Sequence, residues 1–259
     1  MTARGLYIYC VAKGDREEPL DLCGIEGTPL WALTDQGLVA IVQECEPKPF
    51  ASADQKVFAN WLLIHQNIVD LAWERYETII PFGFGTVILP TNGNSARQNL
   101  NEWLEKESAE VTRKLEYLKN KAEYGVQVLW DPNVILPRIR EQDAEIQQSE
   151  KETRSKPAGV AYLLQRKLEE LIRQRLEMAA DVHFKTFYHR IRECVENIHI
   201  EKVRKEDPPK QMILNVSCLQ NKEAMTALGT VLEKIGQMPG FDVRFTGPWP
   251  PYSFVTAGG

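Results

Sequence analysis

Apolar and polar residues alternate along this chain with two periods, and the switches between them mark its elements. "GLYIYCVA", Gly5 to Ala12, is apolar or aromatic on both alternating faces and predicts a central strand. A turn-rich stretch, "KGDREEPLDLCGIEGTP", follows it. "LWAL" and "GLVAIVQEC" then read as strands joined through "TDQG". From Ser52 to Tyr76 the period becomes helical. Val57, Trp61, Ile64, His65, Ile68 and Ala72 fall on one face, with Ser52 or Asp54 as the cap. "TIIPF" and "GTVIL" are short strand-like runs joined through glycine. A second helix is expected from Ala96 to Lys121, with Leu100, Trp103, Leu104, Val111, Leu115 and Leu118 inward.

The second half repeats the theme. "YGVQVLWD", Tyr124 to Asp131, reads as a strand, and the polar stretch "RIREQDAEIQQSEKETRSK" as an exposed helix. From Ala158 a long helical pattern begins. Leu164, Leu168, Leu171, Ile172, Leu176 and Ala179 form a stripe that Phe184, Phe187, Ile191, Val195 and Ile198 continue. Its length suggests a break or a helical hairpin arm that packs on a sheet or projects. "KEDPPK" closes it. "MILNVSCL" alternates with Met212, Leu214, Val216 and Cys218 on one face. "NKEAMTALGTVLEKIGQM" is a helix, and "FDVRFTG" a strand with Phe241, Val243 and Phe245 inward. This order predicts an α+β fold of two modified ferredoxin-like domains, residues 1–123 and 124–259, with helices on one sheet face. The second carries a long helical addition and a folded-back aromatic and proline-rich tail.

That tail, "FTGPWPPYSFV", places aromatics where chains commonly fray. Prolines lower the cost of ordering it, and the aromatics would anchor it on the protein's own surface. A fully buried Trp249 would cost roughly 3–5 kcal/mol on replacement by alanine, and an exposed one much less.

Composition narrows the function classes. A net charge of −5 over 259 residues, with both signs mixed, argues against a nucleic-acid binder. No stretch is long and apolar enough for a membrane helix, and no signal-peptide core follows Met1, so a cytoplasmic protein is expected. Five widely spaced cysteines, without a CxxC pair, suggest free thiols. His183, His189 and His199 lack the i, i+4 spacing of a helical metal pair, and His65 reads as a satisfied interior histidine. "GFG" in "PFGFGTV" lies between two strands, which favours a tight turn or bulge over a dinucleotide loop. Catalytic, cofactor-binding and metal-ligating residues are therefore all assigned as none, and no cofactor is expected.

Taken together, "GLYIYCVA", "LLIHQNIVD", "TIIPFGFGTV", "VQVLWD" and "FTGPWPPYSFV" occur in an order that resembles the gas vesicle protein F/L family (GvpL/GvpF). The resemblance runs from about Gly5 to Val255. It implies a non-enzymatic accessory protein of gas vesicle assembly, located in the cytoplasm and at the vesicle. The implied partners are the small hydrophobic shell protein (GvpA) and other accessory proteins, with neither nucleic acid nor membrane. Two alternatives come from other classes. One is a small-ligand regulatory module of ferredoxin-like type. The other is an enzyme whose site assembles from scattered residues, such as His65 with an acidic neighbour.

Overall fold

β1 is buried from Gly5 to Ala12 because it is paired on both edges and covered on both faces. The computed structural model describes residues 4–255. Within these the chain forms two compact units, one of residues 4–123 with 248–255, the other of residues 124–247. The closing residues thus count with the first unit.

In the first unit the strands are β1 (Gly5–Lys13), β2 (Glu18–Cys23), β3 (Pro29–Asp35), β4 (Leu38–Cys45), β5 (Ile79–Pro81) and β6 (Val87–Ile88). They lie in the order β2-β3-β4-β1-β5, with β6 also on β1. The β1–β4 register slips between Ile8 and Cys10, leaving Tyr9 as a bulge. One extra residue reverses the alternation, so Tyr7, Tyr9, Cys10 and Ala12 all enter one core.

Helix α1 (Gln55–Tyr76) supplies Ile68, Val69 and Ala72 to that core. Its first turn is capped by Asp54, whose carboxylate accepts from the amides of Lys56 and Val57. Helix α2 (Ala96–Leu118) starts with a capping box between Ser95 and Gln98. It buries Leu100, Leu104, Val111, Leu115 and Leu118. The paired residues Ala12 and Ile79 face α1, whereas Val11 and Ile80, one step along, face the other way. Ile80 lines a cavity with Trp103 and Val111 of α2. The two helices therefore cover opposite faces of this sheet. This corrects the expectation of helices on one face, and it explains why β1 has no polar side.

The second unit contains β7 (Lys121–Trp130), of which the first three residues belong to the first unit, then α3 (Pro132–Gln142), α4 (Ala144–Ser155) and α5 (Ala158–Arg192). β8 (Asn197–Ile200), β9 (Gln211–Asn221), α6 (Thr226–Gly236) and β10 (Phe241–Trp249) complete it, in the sheet order β10-β7-β9-β8. The long helix ends at Arg192. Val195 lies beyond it and Ile198 is in β8, so the stripe expected through both residues stops earlier. The C-terminal part of α5 packs on the sheet, with Phe187 against Phe241 at 5.3 Å and His183 against Phe241 at 4.8 Å between ring centroids. The N-terminal part pairs with α4, where Arg175 bonds Asp143 at 2.6 Å and also Glu145. Of the alternating Phe241, Val243 and Phe245, only Phe241 is fully inside. Phe245 is 45% exposed and stacks on Tyr124 at 5.6 Å.

Candidate functional site

Helix α1 carries two apolar stripes. The inner one, His65, Ile68, Val69 and Ala72, is buried against β1. The outer one is Ala59, Leu62 and Leu63, at the i, i+3, i+4 spacing of one helix face, with Gln66 completing the turn. Leu62 is 40% exposed and Leu63 69%. Val57, expected on the inner face, is 40% exposed and joins the solvent side.

The outer stripe forms one wall of an open concavity of about 620 Å³, completed by Gly83, Phe84 and Tyr252, with His65 beneath. The Gly83–Thr86 turn presents Phe84. Thr86 N–H donates to the Gly83 carbonyl at 3.3 Å, and Gly85 takes a positive φ of 87° that suits glycine. "GFG" is thus a tight turn. Phe84 packs on Phe58 at 5.3 Å and edge-on to His65 at 5.8 Å.

Below lies a buried aromatic layer. The Tyr7 hydroxyl accepts from Gly85 N–H at 3.1 Å and pairs with His65 Nδ1 at 2.9 Å. Donation of the hydroxyl proton to Nδ1 leaves the imidazole proton on Nε2, which is buried without a hydrogen-bond partner of good geometry. Burial pushes the His65 pKa down to about 4, against a partial opposing pull from the Phe82 backbone. It pushes the Tyr7 phenol up to about 12. Both groups are neutral at pH 7, so the bond between them joins two uncharged side chains. The ring partners of His65 are Tyr7, Tyr9 and Phe84. The nearby carboxyl of Asp70 accepts from Gln66 at 2.9 Å, and burial raises its pKa. Deeper still, Tyr9 donates to Gln43, which holds the turn at Ile25 by two further bonds.

The tail forms the rim. Pro250 and Pro251 are buried, and the Tyr252 ring packs on the core of Tyr7, Tyr9 and α1. Its hydroxyl is buried without a partner. Ser253 donates through N–H and Oγ to the two oxygens of Glu123, at 2.7 and 2.8 Å. The Val255 carbonyl accepts from Lys114 of α2 at 3.4 Å. The segment therefore binds the first unit as a strap, anchored by Tyr252 rather than Trp249, which is 44% exposed.

Among the described residues no three His, Cys, Asp or Glu side chains form a group that could hold a metal ion. Cys10 and Cys45 are buried thiols outside any disulfide, Cys218 is buried as well, Cys194 is half-buried and Cys23 exposed. Among the described residues no helix is long and apolar enough to cross a membrane. No site residue is expected from the sequence. The concavity's only sequence signal is the second stripe on α1, which the stronger inner stripe masks.

A family model described as "Gas vesicle synthesis protein GvpL/GvpF" matches residues 5–256. The chain belongs to this family. Among curated GvpL relatives, gas vesicle protein L1 of Halobacterium salinarum is 28% identical, over 98% of this chain and 91% of that protein. Gas vesicle protein L of Haloferax mediterranei is 23% identical, over 90% of this chain and 72% of that protein. Two crystal structures of GvpF share the fold. That from Anabaena sp. superposes with a TM-score of 0.75 at 16% identity, over 99% of this chain and 100% of that one. That from Microcystis aeruginosa gives 0.68 at 15% identity, over 97% and 99%. The mixed helix and sheet architecture is thus that of the GvpF structures, and this GvpL/GvpF chain is a gas vesicle synthesis protein.

Proposed function

We propose that this GvpL/GvpF chain is a non-enzymatic assembly factor that binds the small hydrophobic shell protein (GvpA) through the concavity on its first unit. The carrying observation is the outer stripe of α1, where Leu62 and Leu63 stand in solvent beside Phe84 and Tyr252. A water-excluding shell subunit is very apolar and aggregates before assembly unless its surface is covered. A concave apolar wall of helix and aromatic rings suits an amphipathic segment of such a subunit. The neutral, hydrogen-bonded His65–Tyr7 pair beneath it supports binding over catalysis. Other accessory proteins of the vesicle are further partners on this reading, and its place is the cytoplasm and the vesicle.

The connectivity of the second unit, strand, helices, two strands, helix and strand in the order β10-β7-β9-β8, supports reading it as a modified ferredoxin-like domain. The first would be a more strongly modified version, with its second helix on the opposite sheet face.

The test is titration of the purified chain with the shell protein kept soluble as a fusion, with the fusion partner alone as control. Leu63→Glu places a charge in the apolar wall and is expected to weaken binding at least tenfold without changing the fold. Equal binding by wild type and variant would remove the concavity from the proposal, and no binding by either would remove the shell protein.

A further inference from the structure

The turn between α4 and α5 gathers charge and exposed apolar surface in one place. Residues 151–167 carry Lys151, Arg154, Lys156, Arg166 and Lys167 against the single carboxylate Glu152. The net +4 there leaves −9 on the rest of a chain whose total is −5. All five cations are exposed. None of the five is in a salt bridge among the described residues, although cations farther along α5 are: Arg173 pairs with Glu170 and Glu177, Arg175 with Asp143 and Glu145, and Lys185 with Asp181. Beside these free charges stand Val160, Tyr162 and Leu163, at 49%, 60% and 62% exposure. Arg166 lies over the Tyr162 ring at 5.7 Å and donates to its hydroxyl at 3.3 Å, so its guanidinium is held against that exposed ring.

Below the tip the hairpin is secured by buried Ile146 and Leu168 and by the Arg175–Asp143 pair. The exposed apolar residues are therefore not needed to close it. Three large apolar side chains in solvent, on a stretch with five cations outside any salt bridge, form a surface whose complement is apolar and negatively charged.

We propose that the tip of the α4–α5 hairpin is a docking site for an acidic amphipathic helix of another protein. Size favours one helix. From Val160 to Lys167 the patch runs about 10 Å along α5, close to the diameter of a helix with its side chains. Charge sets the limits, since Glu169 and Glu170 follow at once on α5 and Glu152 lies on α4. A flat anionic bilayer covering the whole tip would meet all three carboxylates, whereas a single helix covers a narrower strip. Val160 and Leu163, three positions apart, form a short ridge for the groove of a partner helix. Carboxylates on the flanks of that helix would then reach Arg154, Lys156 and Lys167. This site lies in the second unit and is independent of the shell-protein reading of the first.

The full chain is titrated with a fluorescein-labelled synthetic helix bearing a leucine stripe flanked by glutamates. The same stripe flanked by lysines is one control, and vesicles of phosphatidylglycerol and phosphatidylcholine are another. The expected result is saturable binding of the acidic helix that weakens with added salt. Both Arg154→Glu/Lys156→Glu and Val160→Ser/Leu163→Ser are expected to weaken it at least fivefold, with unchanged circular dichroism and thermal midpoint. Leu63→Glu, which disables the concavity, is expected to leave it intact. Equal binding of the lysine helix, or indifference to both double variants, overturns the proposal. So does binding of the vesicles, lost in those variants, without binding of the acidic helix.

Discussion

Among the described residues of the first unit, Tyr252 and His65 carry buried polar atoms without partners, and each has a measurable consequence. The Tyr252 hydroxyl is buried and unbonded, so the ring stabilises through its apolar area while the oxygen works against it. Tyr252→Phe is expected to be neutral or stabilising by up to about 1 kcal/mol, and Tyr252→Ala to cost roughly 2–4 kcal/mol. Trp249→Ala is expected to cost about 1 kcal/mol or less, because the ring is 44% exposed. Urea midpoints rank the three, and a Trp249 variant weaker than the Tyr252→Ala variant would displace Tyr252 as the anchor. His65 supplies the second case. Its folded pKa of about 4 lies below the ordinary 6.5, so the unfolded chain binds the extra proton. The stability from keeping it neutral is whole above pH 6.5 and is lost as pH falls from there towards 4. The loss is at most roughly 3 kcal/mol. In His65→Phe this component is absent, so the difference in unfolding free energy between wild type and variant should shift in the variant's favour from pH 7 to pH 4.5. A constant difference would mean that His65 is not buried neutral.

Elements differ in how plainly they declare themselves. α1, α2, β7 and β9 follow strong single-period patterns and lie close to their expected bounds. β2 was hidden inside a turn-rich segment. It is an edge strand with mostly exposed residues, so burial imposes no alternation on it. The sequence extends the α5 stripe into β8, because Val195 and Ile198 continue its spacing and no glycine or proline marks the change. The turn that follows β2 depends on a close approach that sequence cannot display. A Cβ on Gly24 would lie 1.9 Å from Gln43 Oε1 and 2.8 Å from the Tyr9 hydroxyl. Gln43 is itself fixed by Tyr9 and by both backbone groups of Ile25. Gly24→Ala is therefore expected to cost about 2 kcal/mol or more. Thermal unfolding measures it, and an unchanged midpoint would show that Gln43 can rotate away freely.

At the scale of the molecule, residues 248–255 are part of the first unit. Ending the chain at Gly247 removes Tyr252 from the α1 core, Ser253 from Glu123 and the Val255 carbonyl from Lys114. Hydrogen exchange is expected to quicken across residues 5–123 of the shortened chain and to stay unchanged around the buried Trp130 and β9. Equal loss in both units would refute a strap confined to the first. The sequence by itself determined the period of most elements, the mixed helix and sheet class and, through five short motifs in order, the family. These are local properties, set by hydrophobic spacing and turn chemistry within a few residues. Only the tertiary structure decided the bulge at Tyr9 that brings two tyrosines and Cys10 into one core, and the placement of α1 and α2 on opposite faces. It alone decided which aromatic of the tail is the anchor and which leucines of α1 stay in water. Each of those depends on a partner distant in sequence, and a side chain's spacing states its direction on its own element but not what stands opposite.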